Sequence, residues 1–316
     1  MQKDFIRRLF DLTGKKALIT GGAKGIGRGY ALALAGAGAD IAIVDIDQKG
    51  GKSTMEEVRS MGRDSIYVQC DVSKKSEVQR MAKSVVEHFG RLDIGVNNAG
   101  ISSRSDNETT PKEDWDKVIA LDLTAVFLCA QVEAQQMIKQ KPMGGKIINT
   151  ASMSATIANV NASYNAAKAG VVHMTHTLAA AWGKYNIYVN CISPSYLLTE
   201  LHASNPPAIR DRMRELHPLG WFERPEDLYG PAVFLASAAS DYVTGHDLIV
   251  DGGHTLNVWL TPLTRVAPPK VSREEETIQL KHDLAVLGVE YDENGYNPDL
   301  YPEVCDILKK QFGLEE

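Results

Sequence analysis

Short apolar runs alternate with longer amphipathic stretches along most of the chain. Seven runs have the length and flanking turn residues of buried strands, at residues 15–20, 41–45, 65–70, 92–98, 146–152, 187–193 and 247–253. Apolar residues recur at helical spacing between them, at about 27–39, 52–61, 75–89, 113–140 and 163–184. Strands that alternate with helices in this way predict an α/β fold, in which a doubly wound parallel sheet is covered by helices on both faces.

Two regions depart from this alternation. Residues 196–226 contain a Pro-Pro pair and a mixture of polar and aromatic side chains, which is typical of a lid or a binding segment. Beyond about Thr261, a proline-rich stretch leads into a charged tail with short amphipathic patterns. We therefore predict a single domain over residues 1–257 and a C-terminal extension, a linker with short helices, over residues 258–316.

Composition excludes several classes of function. The chain has 316 residues, of which 44% are hydrophobic and 23% charged, an ordinary globular mixture. Its net charge of −6 argues against a nucleic acid partner, and its four cysteines lack the spacing of metal ligands. Because no apolar run has the length of a signal peptide or a membrane span, we expect no membrane partner and a cytoplasmic location.

A glycine-rich turn, TGGAKGIG at residues 20–27, follows the first strand and opens the first helix. Its glycines suit a tight turn, a close approach of the backbone to a pyrophosphate, and close packing of the helix on the strand. The helix N-terminus also offers amide donors and a partial positive charge to phosphate. We therefore predict a dinucleotide-binding turn, and the residues expected beside the dinucleotide are Gly21, Lys24, Gly25, Ile26 and Gly27.

The identity of the dinucleotide depends on Asp45, which ends the second strand. A carboxylate there can accept hydrogen bonds from both ribose hydroxyls of NAD, and it repels the 2′-phosphate of NADP. Lys24, inside the glycine turn, could instead pair with that phosphate. We expect NAD as the cofactor, with NADP as the less favoured alternative.

Five further motifs follow the glycine turn in a fixed order. They are the pair Asp71-Val72, NNAG at 97–100, Tyr164-Asn-Ala-Ala-Lys168, NCISPSYLLT at 190–199 and VDGG at 250–253. Together with the turn, they resemble the motifs of the classical short-chain dehydrogenases/reductases over about residues 10–257. The resemblance implies a Rossmann-like fold and an NAD(P)-dependent oxidoreductase that acts on the CH–OH group of a small alcohol, or on the corresponding ketone.

Tyr164 and Lys168 carry the expected chemistry. They are four residues apart on a predicted helix, so both side chains lie on one face. A free tyrosine keeps its proton until about pH 10, and a neighbouring ammonium favours the phenolate. We expect Tyr164 to be the acid and base of the reaction. The resemblance implies that Lys168 also contacts the nicotinamide ribose.

Two further catalytic residues follow from the resemblance, and each departs from the family pattern. A serine should hold the substrate oxygen, and Ser152 is expected here because it directly follows a strand, although one residue closer to Tyr164 than usual; Ser154 is the alternative. Asp122 stands where the family has asparagine in a proton relay to Lys168. Its charge would stabilise the Lys168 ammonium.

The resemblance also implies the remaining cofactor contacts. Asp71 and Val72 would face the adenine, Asn98 and Gly100 would line the cofactor channel, and the backbone of Ile192 and the side chain of Thr199 would contact the nicotinamide carboxamide. Ser195 stands where the family usually has glycine.

Residues 151–168 resemble the sugar- and polyol-oxidising members of the family, so we expect a sugar or polyol substrate. One alternative is an NADP-dependent reductase of acyl, steroid or xenobiotic ketones. Another is a non-catalytic dinucleotide-binding scaffold or sensor, which only Asp122 favours. The helices predicted at 113–140 and 163–184 match the faces on which this family assembles, and they predict a homotetramer, with a dimer as the alternative.

Overall fold

The structure, a computed structural model, describes residues 4–102, 106–197, 213–220 and 222–256. The chain divides into two compact units, one formed by Met1–Tyr196 with Glu223–Asn257 and the other by Leu197–Phe222 with Val258–Glu316. The sheet and the candidate site belong to the first unit. Within the second unit, the Nδ1 atom of His217 lies 2.8 Å from the carbonyl oxygen of Met213. The domain boundary at residue 257 stays a prediction.

Seven parallel strands form the sheet. They are β1 Lys16–Thr20, β2 Asp40–Asp45, β3 Ser65–Gln69, β4 Ile94–Asn97, β5 Gly145–Thr150, β6 Ile187–Pro194 and β7 Asp247–Val250, and they lie in the order β3-β2-β1-β4-β5-β6-β7. The predicted doubly wound, Rossmann-like sheet is confirmed, and each predicted strand is present. The strand order reverses between β1 and β4, and ligands of such sheets bind at this point, beyond the carboxyl ends of the strands.

Helices cover both faces of the sheet. The helices of the described residues are α1 Phe5–Leu9, α2 Gly25–Gly36, α3 Gln48–Ser60, α4 Lys75–Phe89, α5 Lys112–Ile119, α6 Ala125–Lys139, α7 Ala162–Trp182 and α8 Tyr229–Ala236, and of these α1 has no buried residue. Neighbouring residues of one strand point to opposite faces, so Leu18 belongs to the core cluster under α4, α6 and α7, and Ile19 to the cluster under α2 and α8. Because both faces are covered, the strands are continuously apolar.

The single helix predicted at 113–140 is interrupted. Between α5 and α6 the backbone makes a π-helical turn at Ala120–Thr124, with Asp122 at its centre. The wider turn points the Asp122 side chain into the protein, where it is fully buried. Sequence periodicity does not resolve a single wide turn, because the apolar pattern on either side of it remains helical.

The last predicted strand, 247–253, is also shorter in the structure. β7 ends at Val250, because Gly252 and Gly253 adopt left-handed φ angles of +59° and +88°.

Lys112–Lys139 has the length and composition of a membrane-spanning helix, with a mean hydropathy of 1.5 over an 18-residue window, and no other stretch in the described part of the chain does. Its α6 portion packs on β4 and β5, with Cys129, Ala130 and Met137 buried in the core. Trp115 and Phe127, on the same stretch, are more than a third exposed. The apolar side chains of this stretch are therefore of two kinds, some buried in the core and others exposed.

A buried carboxyl lies at the centre of the sheet. Glu133 of α6 is fully buried, and its Oε2 accepts a hydrogen bond from Nδ2 of Asn97 at 3.1 Å. The same amide donates to Oδ1 of Asn149 at 3.1 Å. Residue 95 is glycine, and a Cβ there would overlap the carboxyl of Glu133. Burial raises the pKa of Glu133 to about 8, although the hydrogen bond from Asn97 opposes the rise. The carboxyl is therefore mostly protonated at neutral pH.

We predict that Glu133→Gln removes part of the pH dependence of folding. The pKa of Glu133 is higher in the folded protein than in the unfolded chain, so the unfolded chain loses this proton at a lower pH. The free energy of unfolding of the parent therefore falls as the pH rises from the ordinary carboxyl pKa to about 8. Between about pH 5 and 9, the free energy of unfolding of the variant should rise by on the order of 3 kcal/mol relative to that of the parent. Denaturant unfolding at several pH values measures this gain. Glu87→Gln, which changes an exposed carboxyl of α4, is the control, and parallel curves for the parent and E133Q would contradict the prediction.

Candidate active site

The glycine-rich turn joins the carboxyl end of β1 to the N-terminus of α2. At Gly27, a Cβ would overlap the carbonyl oxygen of Gly21, so only glycine allows α2 to start this close to the turn. Gly25 has a left-handed φ of +56°, and the space beside its Cα is open. The first amides of α2 have no side-chain cap.

Open space in front of uncapped helix amides fits a phosphate or pyrophosphate group. Gly21, Gly25, Ile26 and Gly27 are therefore brought together as the sequence predicted. Lys24 is the N-cap residue of α2 in extended conformation, and its side chain is exposed. The residues present fit a dinucleotide.

Asp45, at the carboxyl end of β2, faces the same turn. Its Oδ2 accepts a hydrogen bond from the amide of Ala23 at 3.0 Å, and its Oδ1 accepts one from the amide of Asp47 at 2.9 Å. Each carboxylate oxygen has a second lone pair, so Asp45 can stabilise the turn and still accept hydrogen bonds from ribose hydroxyls.

The NNAG segment ties β4 to the glycine turn. The backbone amide of Asn98 donates to the hydroxyl of Thr20 at 2.9 Å, and its side-chain amide donates to the carbonyl of Thr20 at 3.2 Å. Gly100 lies against Asp122, since a Cβ at residue 100 would be 2.7 Å from Oδ2 of that carboxylate. This segment thus connects the glycine turn with the residues predicted to be catalytic.

A cavity of about 270 Å³ opens beside this segment, and it brings together the four catalytic residues expected from the sequence. Its lining comprises Ile26, Asn98, Gly100, Ile101, Ser102, Asp122, Thr150, Ala151, Ser152, Tyr164, Lys168, Pro194 and Ser195. These residues come from the ends of β4, β5 and β6, from the start of α2, from the π-helical turn and from α7. The cavity therefore lies at the carboxyl edge of the sheet, where the topology predicts a ligand site.

Lys168 is the most constrained of the four. Its side chain is 4% exposed, and its Nζ donates a hydrogen bond to the carbonyl oxygen of Thr150 at 3.0 Å. Oδ2 of Asp122 lies 3.2 Å from the same nitrogen, within ion-pair distance but without the angles of a hydrogen bond. The ring centre of Tyr164 is 5.4 Å away. The ammonium thus faces a carboxylate on one side and the tyrosine on the other.

Asp122 is held by a second contact. Its Oδ1 accepts a hydrogen bond from the amide of Ile101 at 2.7 Å. Burial raises the pKa of Asp122, while the charge of Lys168 and the Ile101 amide oppose this rise. An asparagine could accept the bond from Ile101 as well, so the feature particular to aspartate is the ion pair with Lys168.

Ser152 lines the cavity, and its Oγ accepts a hydrogen bond from the amide of Ser154 at 3.2 Å. The Ser154 hydroxyl accepts a hydrogen bond from Nδ2 of Asn159 at 2.9 Å, so that side chain is engaged within its own loop. Tyr164 lies in the first turn of α7, where Oδ1 of Asn161 accepts its amide hydrogen bond at 3.1 Å and caps the helix. This cap orients the first turn of α7 toward the cavity.

The remaining predicted contacts do not line the cavity or lie outside the described residues. The Asp71 carboxylate accepts two hydrogen bonds from Ser73, which hold its pKa below the ordinary value, and Val72 is buried. The carbonyl of Ile192 accepts a hydrogen bond from the amide of Ala151 at 2.8 Å. Thr199 lies outside the described residues.

Two functional groups were missed by sequence reasoning. The Thr150 carbonyl is the hydrogen-bond acceptor of Lys168, and a backbone acceptor leaves no mark in a sequence. Glu223, 28 positions along the chain, accepts a hydrogen bond from the amide of Ser195 in the cavity wall. In the part of the chain that the structure describes, no group of three or more histidine, cysteine or acidic residues could hold a metal ion.

We predict that Gly27→Ala abolishes dinucleotide binding. The new Cβ would overlap the Gly21 carbonyl, so α2 must move away from the turn, with a loss of about 3 kcal/mol or more in the free energy of unfolding. Gly36→Ala, at the far end of α2, is the matched control, since its Cβ would lie 3.5 Å from Cε of Met61. Denaturant unfolding and NADH fluorescence titration measure both effects. Tight NADH binding by G27A would contradict the prediction.

Known proteins resemble most of the chain. The family model described as enoyl-(acyl carrier protein) reductase matches residues 21–255. The chain is 44% identical to the 2-dehydro-3-deoxy-D-gluconate 5-dehydrogenase of Dickeya dadantii (strain 3937), over 78% of this chain and 98% of that protein. It is 39% identical to the D-threitol dehydrogenase of Mycolicibacterium smegmatis (strain ATCC 700084 / mc(2)155), over 78% of this chain and 95% of that protein.

The fold is likewise similar to solved structures. A gluconate 5-dehydrogenase from Burkholderia cenocepacia J2315, in complex with NADP and tartrate, superposes with a TM-score of 0.76 at 36% identity, over 80% of this chain and all of that one. The resemblance inferred from the motifs is confirmed, and with it the assignment as an enzyme. The chain belongs to the short-chain dehydrogenase/reductase family, and it is an NAD(P)-dependent oxidoreductase that acts on CH–OH groups.

Proposed function

We propose that this enzyme oxidises a secondary alcohol of a sugar, sugar acid or polyol, with NAD as the cofactor and Tyr164 as the acid and base. The observation that carries the proposal is the single cavity that collects Ser152, Tyr164 and Lys168 beside the glycine turn. The named activities of the Dickeya and Mycolicibacterium relatives support the substrate class.

In the proposed mechanism, Ser152 and Tyr164 hold the substrate oxygen. The Tyr164 phenolate accepts the hydroxyl proton as the C–O bond gains double-bond character, and the reverse reaction returns that proton to the ketone oxygen. When bound, the nicotinamide ring supplies the hydride acceptor for oxidation and the hydride donor for reduction. Lys168 favours the phenolate through its positive charge, and its fixed position on the Thr150 carbonyl keeps that charge beside Tyr164.

The cavity suits a small hydroxylated substrate. It is only about 270 Å³, and Asn98, Ser102, Ser152 and Ser195 contribute hydrogen-bonding groups to its wall. Ser154 and Asn159, which the sequence also suggested as hydroxyl partners, bond to each other instead. A small polar cavity favours a polyol or sugar over an extended apolar ketone.

NAD is proposed because the Asp45 carboxylate already faces the glycine turn, where a 2′-phosphate would be repelled. Two observations favour NADP as the second candidate, in a reductase of acyl, steroid or xenobiotic ketones. They are the exposed Lys24 side chain and the NADP complex of the Burkholderia relative. The scaffold alternative has only the Asp122 departure in its favour, and Asp122 lies at ion-pair distance from Lys168.

A panel of polyols, sugars, sugar acids and apolar alcohols, each with NAD and with NADP, tests the proposal. The expected result is the highest kcat/KM for a hydroxylated substrate with NAD. Preference for NADP with apolar ketones would support the reductase instead. Dinucleotide binding without turnover of any alcohol or ketone would support the scaffold.

We propose a homotetramer, with a dimer as the alternative, and a cytoplasmic location. Two large apolar side chains of the Lys112–Lys139 stretch, Trp115 and Phe127, are exposed and support association, because exposed apolar side chains commonly become covered between subunits. Sedimentation at micromolar concentration tests the assembly, and a monomer would contradict both states.

Tyr164→Phe should remove most of the turnover, by about a thousandfold or more, because the phenyl ring can neither accept nor donate the proton. NADH affinity and thermal stability should stay near the parent values, since the ring is retained. Steady-state kinetics and fluorescence titration measure the two effects. Turnover at the parent rate would exclude Tyr164 as the acid and base.

Asp122→Asn should shift the pH dependence of alcohol oxidation to lower pH. The carboxylate offsets the Lys168 charge that Tyr164 experiences, so its removal leaves the phenolate more favoured. The asparagine can still accept the Ile101 hydrogen bond. Measured kcat/KM profiles for the parent, D122N and the exposed-site control Glu113→Gln test this. A profile that stays in place or moves to higher pH would contradict it.

A further inference from the structure

Glu223 lies against the wall of the active-site cavity, outside the residues that the proposed mechanism uses. Its Oε2 accepts a hydrogen bond of 2.6 Å from the backbone amide of Ser195, and its own amide donates to the carbonyl of Tyr196 at 3.1 Å. Ser195 lines the cavity together with Tyr164 and Lys168. The Glu223 carboxyl is thus separated from the cavity by a single residue of backbone.

The second oxygen of this carboxyl is unusual. Glu223 is only 7% exposed, and among the described residues its Oε1 is buried without a hydrogen-bond partner. Tyr30 of α2 is near enough for the Glu223 charge to help raise the pKa of its hydroxyl, although burial is the larger cause. The Thr150 hydroxyl, in the cavity wall, neighbours Tyr30. The carboxyl is therefore near the neutral hydroxyl of Tyr30 and in contact with the backbone of the cavity wall.

The charged side chains that act most on Glu223 are both carboxylates. Burial raises the pKa of Glu223 to about 8, the Ser195 amide opposes the rise, and Asp227 and Asp251 add to it. Asp227 is paired with Arg224 at 2.7 Å, and Asp251 accepts amide hydrogen bonds from residues 253 and 255. Ionised Glu223 is therefore a buried negative charge whose charged neighbours are largely matched to other groups.

We propose that Glu223 favours the oxidised cofactor, because its carboxylate stabilises the cationic nicotinamide ring of NAD and gives no such stabilisation to the neutral ring of NADH. The inference rests on the proposed function, in which the nicotinamide end of the cofactor enters this cavity. An uncompensated buried carboxylate costs free energy, and a cation brought near it offsets that cost. By linkage, binding of the cation must favour ionisation of Glu223, so NAD binding releases a proton at neutral pH.

The test measures the dissociation constants of NAD and NADH by calorimetry across about pH 6.5–9.5, the range around the Glu223 pKa. In the parent enzyme, NAD affinity relative to NADH should rise about tenfold over this range as Glu223 ionises. Glu223→Gln keeps an acceptor for the Ser195 amide but cannot ionise. In this variant, the affinity for NAD relative to that for NADH should therefore lose this rise with pH. The matched control is Glu226→Gln, which changes an exposed carboxyl three residues along the chain, in the turn at Pro225–Leu228. This variant should keep the parent behaviour.

Asp122 and Lys168, on another part of the cavity wall, are unchanged in all three proteins, so their contribution cancels in the comparison. If the affinity of E223Q for NAD relative to NADH rose with pH as in the parent, the inference would be overturned. Proton release, measured on the parent enzyme alone in buffers of different ionisation enthalpy, gives a second readout if the variant does not fold. Equal release with NAD and NADH would also overturn the inference. Failure of the parent to bind either dinucleotide would instead overturn the proposed function.

Discussion

The buried ammonium of Lys168 is the constraint on which the active site depends. A charge taken out of water needs partners, and here the Thr150 carbonyl lies 3.0 Å from Nζ and the Asp122 carboxylate 3.2 Å from it. These partners come from the end of β5 and from the π-helical turn. Satisfying one ammonium therefore fixes three elements of the fold relative to one another, and it places Tyr164, on the same helix as Lys168, at the cavity.

The same constraint explains the interruption of the long helix. The Asp122 side chain points inward because the backbone widens at Ala120–Thr124. A regular α-helix over residues 112–139 would have no such wide turn. Asp122 contacts both Lys168 and the amide of Ile101, so the wide turn also secures the segment after the NNAG motif. Local irregularity in the backbone is thus compensated by polar contacts at the site.

Carboxyl groups on two sides of the cavity adjust its electrostatics. Asp122 balances the lysine, and burial raises its pKa. Glu223 lies behind Ser195 and accepts a hydrogen bond from its backbone amide. A nicotinamide enzyme interconverts a cationic and a neutral ring, so charges that surround the cavity without touching the substrate can bias one cofactor form over the other.

The strand pattern was predictable because both faces of this sheet are covered, so buried strands appear as continuous apolar runs. The ends of the elements were harder to predict. For example, β7 ends at Val250 because Gly252 and Gly253 adopt left-handed φ angles. Motif residues such as Gly27, Ser152 and Tyr164 were identifiable because their chemistry requires particular side chains at particular spacings. The wide turn was not predictable, because the apolar pattern on either side of it remains helical.

The amino-acid sequence alone was enough to predict the parallel α/β sheet, the glycine-rich turn and the family, because periodicity and motif spacing are local properties. The packing of the layers sets what the predicted site residues contact. It supplied the Thr150 carbonyl to Lys168, turned Asp122 inward, and brought Glu223 to the amide of Ser195 across 28 positions of chain. Backbone acceptors and contacts between distant segments depend on how the layers pack, so no local pattern encodes them.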